Sequence, residues 1–250
     1  MYLESVTEDE GRTRLTHIKI CGIQDAKHAI SAAEEGADAV GLNFVPSSKR
    51  EVTINQAKNL LAKLRATASG SYPVPEIVGL FADQPFEDVN AIAETLELDA
   101  VQLCGAEGMS YCNRISVPIY KTIPIDLTVP RSVILPKLMI GLQRHTLAGH
   151  KPILDTKIGE SYGGTGTPFD WELAASLSPS FNFSVAGGLT PDNVSGAIKS
   201  IRPWGVDTSS GVENESGKEE GLIRAFIRTV RSTDSELRPG RLRALLRRGR

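Results

Sequence analysis

The stretch Val185-Ala186-Gly187-Gly188-Leu189-Thr190-Pro191-Asp192-Asn193-Val194, followed by Gly205-Val206-Asp207-Thr208-Ser209-Ser210-Gly211-Val212-Glu213, decides how the rest of the chain is read. Each half runs from a short apolar segment through a glycine-rich turn into a helix start. Glycine has no Cβ, so backbone N–H groups there can approach an anion closely, and the open end of a helix adds its dipole. One such turn alone reads as an ordinary strand-to-helix connection. Two in succession near the end of a 250-residue chain match the phosphate site that follows strands seven and eight of a (β/α)8 barrel. Thr190 is the expected N-cap of the helix after the first turn, with Pro191 in its first turn.

Working outward, the same strand-then-helix pattern recurs along the chain. Strands are expected at His17–Cys21, Ala39–Phe44, Glu76–Phe81, Ala100–Leu103, Ile119–Thr122, Pro152–Asp155, Phe183–Ala186 and Trp204–Thr208. Helical spacing falls between them: Ala29, Ile30 and Ala33 share a face in Asp25–Glu35, and Ala57, Leu60, Leu61 and Leu64 do so in Ile54–Arg65. Pro85–Leu96 starts on a proline, and Leu135–Leu147 is the expected fifth helix, its start blurred by Pro130 and Pro136. Strands alternating with helices imply a parallel sheet, and eight such units in this length imply a closed single (β/α)8 barrel. No GxGxxG follows the first strand, which argues against a dinucleotide site. The expected organisation is an N-terminal extension over 1–16, a barrel over 17–231 and a mobile basic tail over 232–250.

Composition narrows the function classes. The chain is 40% apolar and 23% charged with net charge −2, which suits a soluble globular protein and gives no strong pull toward nucleic acid or anionic membrane. Residues 231–250 nevertheless carry seven arginines against Asp234 and Glu236. The segment is read as an appendage outside the fold, with an acidic surface or RNA as the competing reading. Cys21, Cys104 and Cys112 have neither zinc spacing nor the pattern of a secreted disulfide framework, which fits a reducing compartment and a cytoplasmic protein. No long apolar run suggests a membrane span, and the polar first 16 residues, with Glu4, Glu8, Asp9 and Glu10, lack the core of a secretion signal.

In a barrel, chemistry belongs at the carboxyl ends of the strands. That rule selects Cys21, Asn43 with the loop Pro46-Ser47-Ser48-Lys49-Arg50, Asp83 and Gln84, Cys104, and Asp155 ahead of Gly163-Gly164-Thr165-Gly166. None of the four histidines ends a strand on this face: His17 opens the first strand, His28 lies in a helix, and His145 and His150 fall in the blurred stretch. The site is therefore expected to work without a metal and without a redox cofactor. Cys21 and Asp155 are the acid–base candidates. A thiol of ordinary pKa about 8.5 needs a lowered pKa to act as a base, and a carboxyl of about 3.9 needs a raised one to donate at neutral pH. The alternatives are a buried small hydrophobe for Cys21 and a loop-ordering carboxylate for Asp155. Arg50 has the planar fork that clamps a carboxylate, its alternative being a solvated loop arginine.

The ordered set Lys19-Ile20-Cys21-Gly22-Ile23, Gly41 through Arg50, Val78-Gly79-Leu80-Phe81, Leu98 through Leu103, Leu154-Asp155, Gly163 through Gly166 with Phe169-Asp170-Trp171, Ala186-Gly187-Gly188-Leu189, and Asp207 through Glu213 resembles the phosphoribosylanthranilate isomerase family of tryptophan biosynthesis. The resemblance runs from about residue 17 to residue 230. It implies an Amadori rearrangement of N-(5-phosphoribosyl)anthranilate to 1-(2-carboxyphenylamino)-1-deoxyribulose 5-phosphate. Asp155 would be the general acid on the ribose ring oxygen and Cys21 the general base at C2. Arg50 would hold the anthranilate carboxylate, and backbone groups around Gly164, Gly187, Gly188, Ser210 and Gly211 would hold the phosphate. The only partner it requires is that phosphorylated small molecule; the two termini, outside the resemblance, leave room for association with neighbouring pathway enzymes.

The chain departs from the family pattern in three places, the first being the two termini that lie outside it. Strand four carries Cys104 and Ala106 where the family has a histidine and an acidic residue. The loop before Arg50 carries Lys49 in place of a common proline, with Glu51 in place of an aromatic residue. A metal-dependent phosphosugar epimerase would need histidines at strand ends, which are missing. A barrel that has lost catalysis would not need both Cys21 and Asp155.

Overall fold

The computed structural model describes residues 15–68, 70–158, 161–162 and 170–238. Eight parallel strands close on themselves: β1 (His17–Ile20), β2 (Ala39–Asn43), β3 (Glu76–Phe81), β4 (Ala100–Leu103), β5 (Ile119–Asp126), β6 (Lys151–Ile158), β7 (Ser184–Val185) and β8 (Gly205–Thr208). Each pairs with the next, and β8 returns to β1 with Lys19 opposite Asp207. Helices α1 (Ala26–Glu34), α2 (Ile54–Ala68), α3 (Phe86–Leu96), α4 (Met109–Cys112), α5 (Arg131–Leu147), α6 (Trp171–Leu177), α7 (Val194–Ile201) and α8 (Glu220–Glu236) connect the strands and follow the last one. The expected single (β/α)8 barrel is the fold.

Alternation along the strands sorts side chains into two cores. Ile18, Ile20, Val40, Leu42, Ile77, Phe81, Val101, Leu103, Leu154, Val185 and Val206 pack outward with the helices. Ala39, Val78, Ala100, Tyr120, Ile153 and Ala186 fill the barrel interior. The apolar interior is thus shallow, and the positions above it are free to carry polar groups.

Several boundaries differ from the sequence reading. β5 and β6 run on past Thr122 and Asp155, because Ile123, Pro124, Ile125 and Asp126 continue the ladder opposite Leu154, Asp155, Thr156 and Lys157. α5 starts at Arg131, directly after Pro130, and contains Pro136. Thr190 is not the N-cap of α7. Asn193 takes that position, and its side-chain oxygen accepts from the Thr190 N–H (2.8 Å) while its amide donates to the Gly188 carbonyl (2.8 Å). α8 continues past the boundary expected at 231, with Thr233 and Asp234 buried. The Asp234 carboxylate accepts from both the backbone N–H and the hydroxyl of Thr16 (2.9 and 2.6 Å), and Arg231 donates to the Thr16 carbonyl (2.7 Å). The end of the last helix therefore clamps the entry to the first strand. Gly164 and the rest of its turn lie outside the described residues.

Candidate active site

A cavity of about 520 Å³ opens at the carboxyl ends of the strands. Cys21, Arg50, Asp155, Gly187, Gly188, Ser210 and Gly211 all line it, together with Asn43, Gln102, Cys104 and Asp207. Residues more than 180 positions apart in sequence meet here only because β8 closes against β1.

Asp155 is the centre of the electrostatics. It is half-buried, and its Oδ1 has no hydrogen-bond partner among the described residues. Burial and the nearby negative charge of Asp207 push its carboxyl up to about 7, against the opposing pull of the Thr156 backbone N–H and of Lys19. A carboxyl raised that far can keep its proton near neutral pH, which meets the condition set for a general acid.

Cys21 is buried, and its thiol is pushed up, first by burial and then by the Asp207 charge; Lys19 and Lys218 pull the other way. The lowered pKa that the sequence reading asked of a resting base is not what the geometry gives. Lys19 stands two residues earlier on the same face and donates to Asp207 (2.9 Å), both groups being buried. Burial alone would lower the Lys19 pKa, but the charges of Asp207 and Cys21 outweigh it, and the ammonium is held charged. This pair escaped the sequence reading. Its signal was present: Lys19 alternates with Cys21, so it must point inward, and an inward cation needs a buried anion at the same height.

Arg50 lies on the rim as expected, but its fork is already engaged. Nε and Nη2 donate to the two oxygens of Glu213 (2.5 and 2.8 Å). Lys218 donates to the same carboxylate (2.6 Å), to the Ser209 carbonyl (2.8 Å) and to the Ser209 hydroxyl (3.2 Å). That hydroxyl in turn donates to the Cys21 carbonyl (3.1 Å). Burial would raise the Glu213 carboxyl, but hydrogen bonds from Arg50 and Lys218 bring it down to about 2. Glu213 and Lys218 were not singled out from sequence, because their partnership depends on a short hairpin pairing Glu213 with Lys218.

The two glycine turns form a second wall. Gly187 and Gly188 have positive φ (93° and 68°). A Cβ at Gly187 would sit 2.6 Å from Thr156 Oγ1 and 3.0 Å from Asp155 Oδ1, and one at Gly211 would collide with the Leu189 carbonyl. Thr208 Oγ1 donates to that carbonyl (2.7 Å), locking the turns together. Such turns present backbone N–H groups to an anion.

The remaining strand-end candidates mostly order loops. Asn43 accepts from Val45 N–H (2.8 Å) and donates to Ser48 Oγ (3.0 Å). Gln84 donates to the Phe44 carbonyl (2.7 Å), and Asp83 accepts from Ala106 N–H (2.7 Å); neither lines the cavity. Cys104 does line it. Its thiol, pushed up to about 12 by burial, receives a weak bond from Thr122 Oγ1 (3.6 Å). Gln102 donates to the same hydroxyl (3.1 Å).

A closed barrel whose upper mouth combines a protonatable carboxyl, a thiol, a cationic rim and a glycine-turn wall defines a (β/α)8-barrel enzyme of acid–base chemistry on an anionic small molecule. Residues 18–229 match the family described as N-(5'phosphoribosyl)anthranilate (PRA) isomerase. The chain is 36% identical over 218 residues to the N-(5'-phosphoribosyl)anthranilate isomerase of Dehalococcoides mccartyi, covering 86% of this chain and 96% of that one. It is 37% identical over 216 residues to that of Roseiflexus castenholzii, covering 86% and 98%. The crystal structure of the Thermotoga maritima enzyme superposes with TM-score 0.74 at 32% identity, covering 87% of this chain and all of that one. A structure of phosphoribosyl anthranilate isomerase in complex with reduced 1-(o-carboxyphenylamino)-1-deoxyribulose 5-phosphate superposes with TM-score 0.70 at 29% identity, with the same coverage. This chain belongs to the phosphoribosylanthranilate isomerase family.

Proposed function

We propose that the chain catalyses the isomerisation of N-(5'-phosphoribosyl)anthranilate to 1-(2-carboxyphenylamino)-1-deoxyribulose 5-phosphate in tryptophan biosynthesis, with Asp155 as general acid and Cys21 as general base. The observation that carries the reading is Asp155, a carboxyl held near neutrality on the same cavity as a thiol and two glycine turns. Asp155 protonates the ribose ring oxygen as the C1–O bond breaks, leaving a cationic Schiff base at C1. That positive charge, arising in the cavity, favours the thiolate of Cys21 at the step where it is needed. Cys21 then removes the C2 proton, and the enolamine tautomerises to the ketone. Gly187, Gly188, Ser210 and Gly211 hold the phosphate; the resemblance adds Gly164, which lies outside the described residues. Arg50 meets the anthranilate carboxylate, with Glu213 and Lys218 fixing its plane.

The substrate is a phosphorylated small molecule, and no helix among the described residues is long and apolar enough to cross a membrane. A cytoplasmic setting is supported by Cys21, Cys104 and Cys112 being unpaired. The test is turnover of freshly generated phosphoribosylanthranilate by the purified chain, followed by loss of its fluorescence and by identification of the ribulose product. Conversion is expected; a folded protein that leaves the substrate unchanged overturns the proposal.

A further inference from the structure

Away from the catalytic mouth, the fold collects three potential metal donors that the isomerase reaction does not use. Cys112 ends α4 and is buried; His145 lies buried in the last turn of α5; His150 follows the turn at Gly149 and is half-buried, just ahead of β6. One ligand atom from each lies within 4.8 Å of the other two. The His145 and His150 Nδ1 atoms are 2.9 Å apart, and the His150 N–H donates to the His145 carbonyl (2.9 Å), so backbone as well as side chains fix the pair. None of the three lines the catalytic cavity.

We propose that Cys112, His145 and His150 bind one zinc-type divalent cation on the outer wall of the barrel. A tetrahedral zinc with bonds of about 2.0–2.1 Å to nitrogen and 2.3 Å to sulfur places its nitrogens about 3.3 Å apart and nitrogen and sulfur about 3.6 Å apart. The two Nδ1 atoms lie 2.9 Å apart and the three donor atoms within 4.8 Å of one another, so side-chain rotation is what brings them to bonding distance around one ion. The spacing His145-x4-His150 lies within the range of paired zinc histidines. One thiolate and two imidazoles are donors that suit a cation of borderline softness rather than calcium or magnesium. An imidazole of ordinary pKa about 6.5 is mostly neutral at pH 7 and offers a lone pair to a metal. Lys121, a cation close enough to act on both rings, is already paired with Glu107 (2.6 Å) and donates to the Gly105 carbonyl (2.8 Å). The metal replaces the Cys112 proton, and His150 is the one half-buried donor of the three. The sequence reading found no zinc spacing among the cysteines, because the site joins one cysteine to two histidines more than thirty residues away, which only the folded chain brings near.

The experiment is anaerobic titration of the reduced full-length protein with Co2+, read by its visible bands and the thiolate-to-cobalt charge-transfer band. One equivalent should give tetrahedral bands with charge transfer, and Zn2+ should displace it and raise the melting temperature. Cys112→Ser should abolish the charge-transfer band, and a Cys21→Ser/Cys104→Ser double variant should keep it. His150→Gln, at a half-buried position whose fold is checked by circular dichroism, should weaken binding by more than the roughly 10–100-fold expected for loss of an outer-shell partner. Absence of a band in the unmodified protein, a band that survives Cys112→Ser, a band lost in the double variant, or undiminished affinity in His150→Gln overturns the site.

Discussion

The two ends of the barrel interior are built from the same strands and treat charge in opposite ways. At the lower end, Glu76 accepts from Lys151 (2.9 and 3.1 Å) and from the Tyr120 hydroxyl (2.6 Å), Lys151 also donates to that hydroxyl (3.1 Å), and His17 stacks on Trp204 at 4.4 Å. Of this plug's fully buried side-chain polar atoms, His17 Nδ1 alone lacks a partner among the described residues. Burial holds His17 neutral, its pKa down to about 4 despite the charges of Asp38 and Glu76. At the upper end, Asp155 Oδ1, Thr156 Oγ1, Asp207 Oδ1 and Gln102 Oε1 are buried without partners among the described residues. Buried polar groups are ordinarily satisfied, and exceptions concentrate where a site must bind or react. The lower plug closes the barrel; the upper one is left ready for a substrate.

The sharpest way to break this contrast is Asp155→Asn. It should remove the proton donor and lower kcat by about 10²–10⁴-fold while leaving the fold intact in circular dichroism. Unchanged turnover would remove Asp155 from the mechanism. Because its folded pKa is raised above the unfolded value, Asp155 contributes stability that is present below about pH 4 and lost as pH rises through about 7. The variant should therefore gain stability relative to the parent between pH 4 and pH 8, in denaturant titrations at the two pH values.

Cys21→Ser should come next, lowering kcat by about 10²-fold or more because an alcohol is a much weaker acid than a thiol; a variant that turns over normally would demote Cys21 to packing. At the lower end the sign of the contrast reverses. Tyr120→Phe should cost about 1–3 kcal/mol of stability, for a lost bond to the Glu76 carboxylate, with kcat unchanged; a loss of turnover in folded protein would mean that the two ends are coupled. Arg50→Ala should act mainly on KM, raising it about tenfold if the part of the guanidinium not taken by Glu213 meets a substrate carboxylate. An effect confined to kcat would show that Arg50 instead orders the Glu213–Lys218 rim. Glu213, with its pKa depressed to about 2, stabilises the fold above the unfolded carboxyl pKa and loses that contribution as pH falls toward 2.

The fold was legible because hydrophobic alternation and turn chemistry are local. Val185 through Gly188 and Gly205 through Gly211 state their geometry in sequence, and the strand starts at His17, Ala39, Glu76 and Ala100 were read at the right residues. Where local signals conflicted, tertiary pairing won. The fifth strand was read as ending at Thr122, yet the long register between β5 and β6 carries it through Pro124 to Asp126. Thr190 reads as a cap, yet Asn193 holds the loop through two hydrogen bonds.

In the site, strand-end position made Asp155 and Cys21 candidates together with Asn43, Asp83, Gln84 and Cys104, and the family resemblance is what singled the pair out. The Glu213 clamp on Arg50, the Lys19–Asp207 pair and the burial that raises the Cys21 thiol depend on closure of β8 against β1, which no local window contains.

The measurement that bears most directly on the contrast between the two ends is the titration of Asp155 itself, by carbon-detected NMR of the labelled carboxyl in the substrate-free protein, assigned with Asp155→Asn. The account predicts a midpoint near 7, unmoved by Tyr120→Phe at the opposite end. A midpoint near 4 would mean an ordinary ionised carboxylate, and the upper end of the barrel would lose its resting acid.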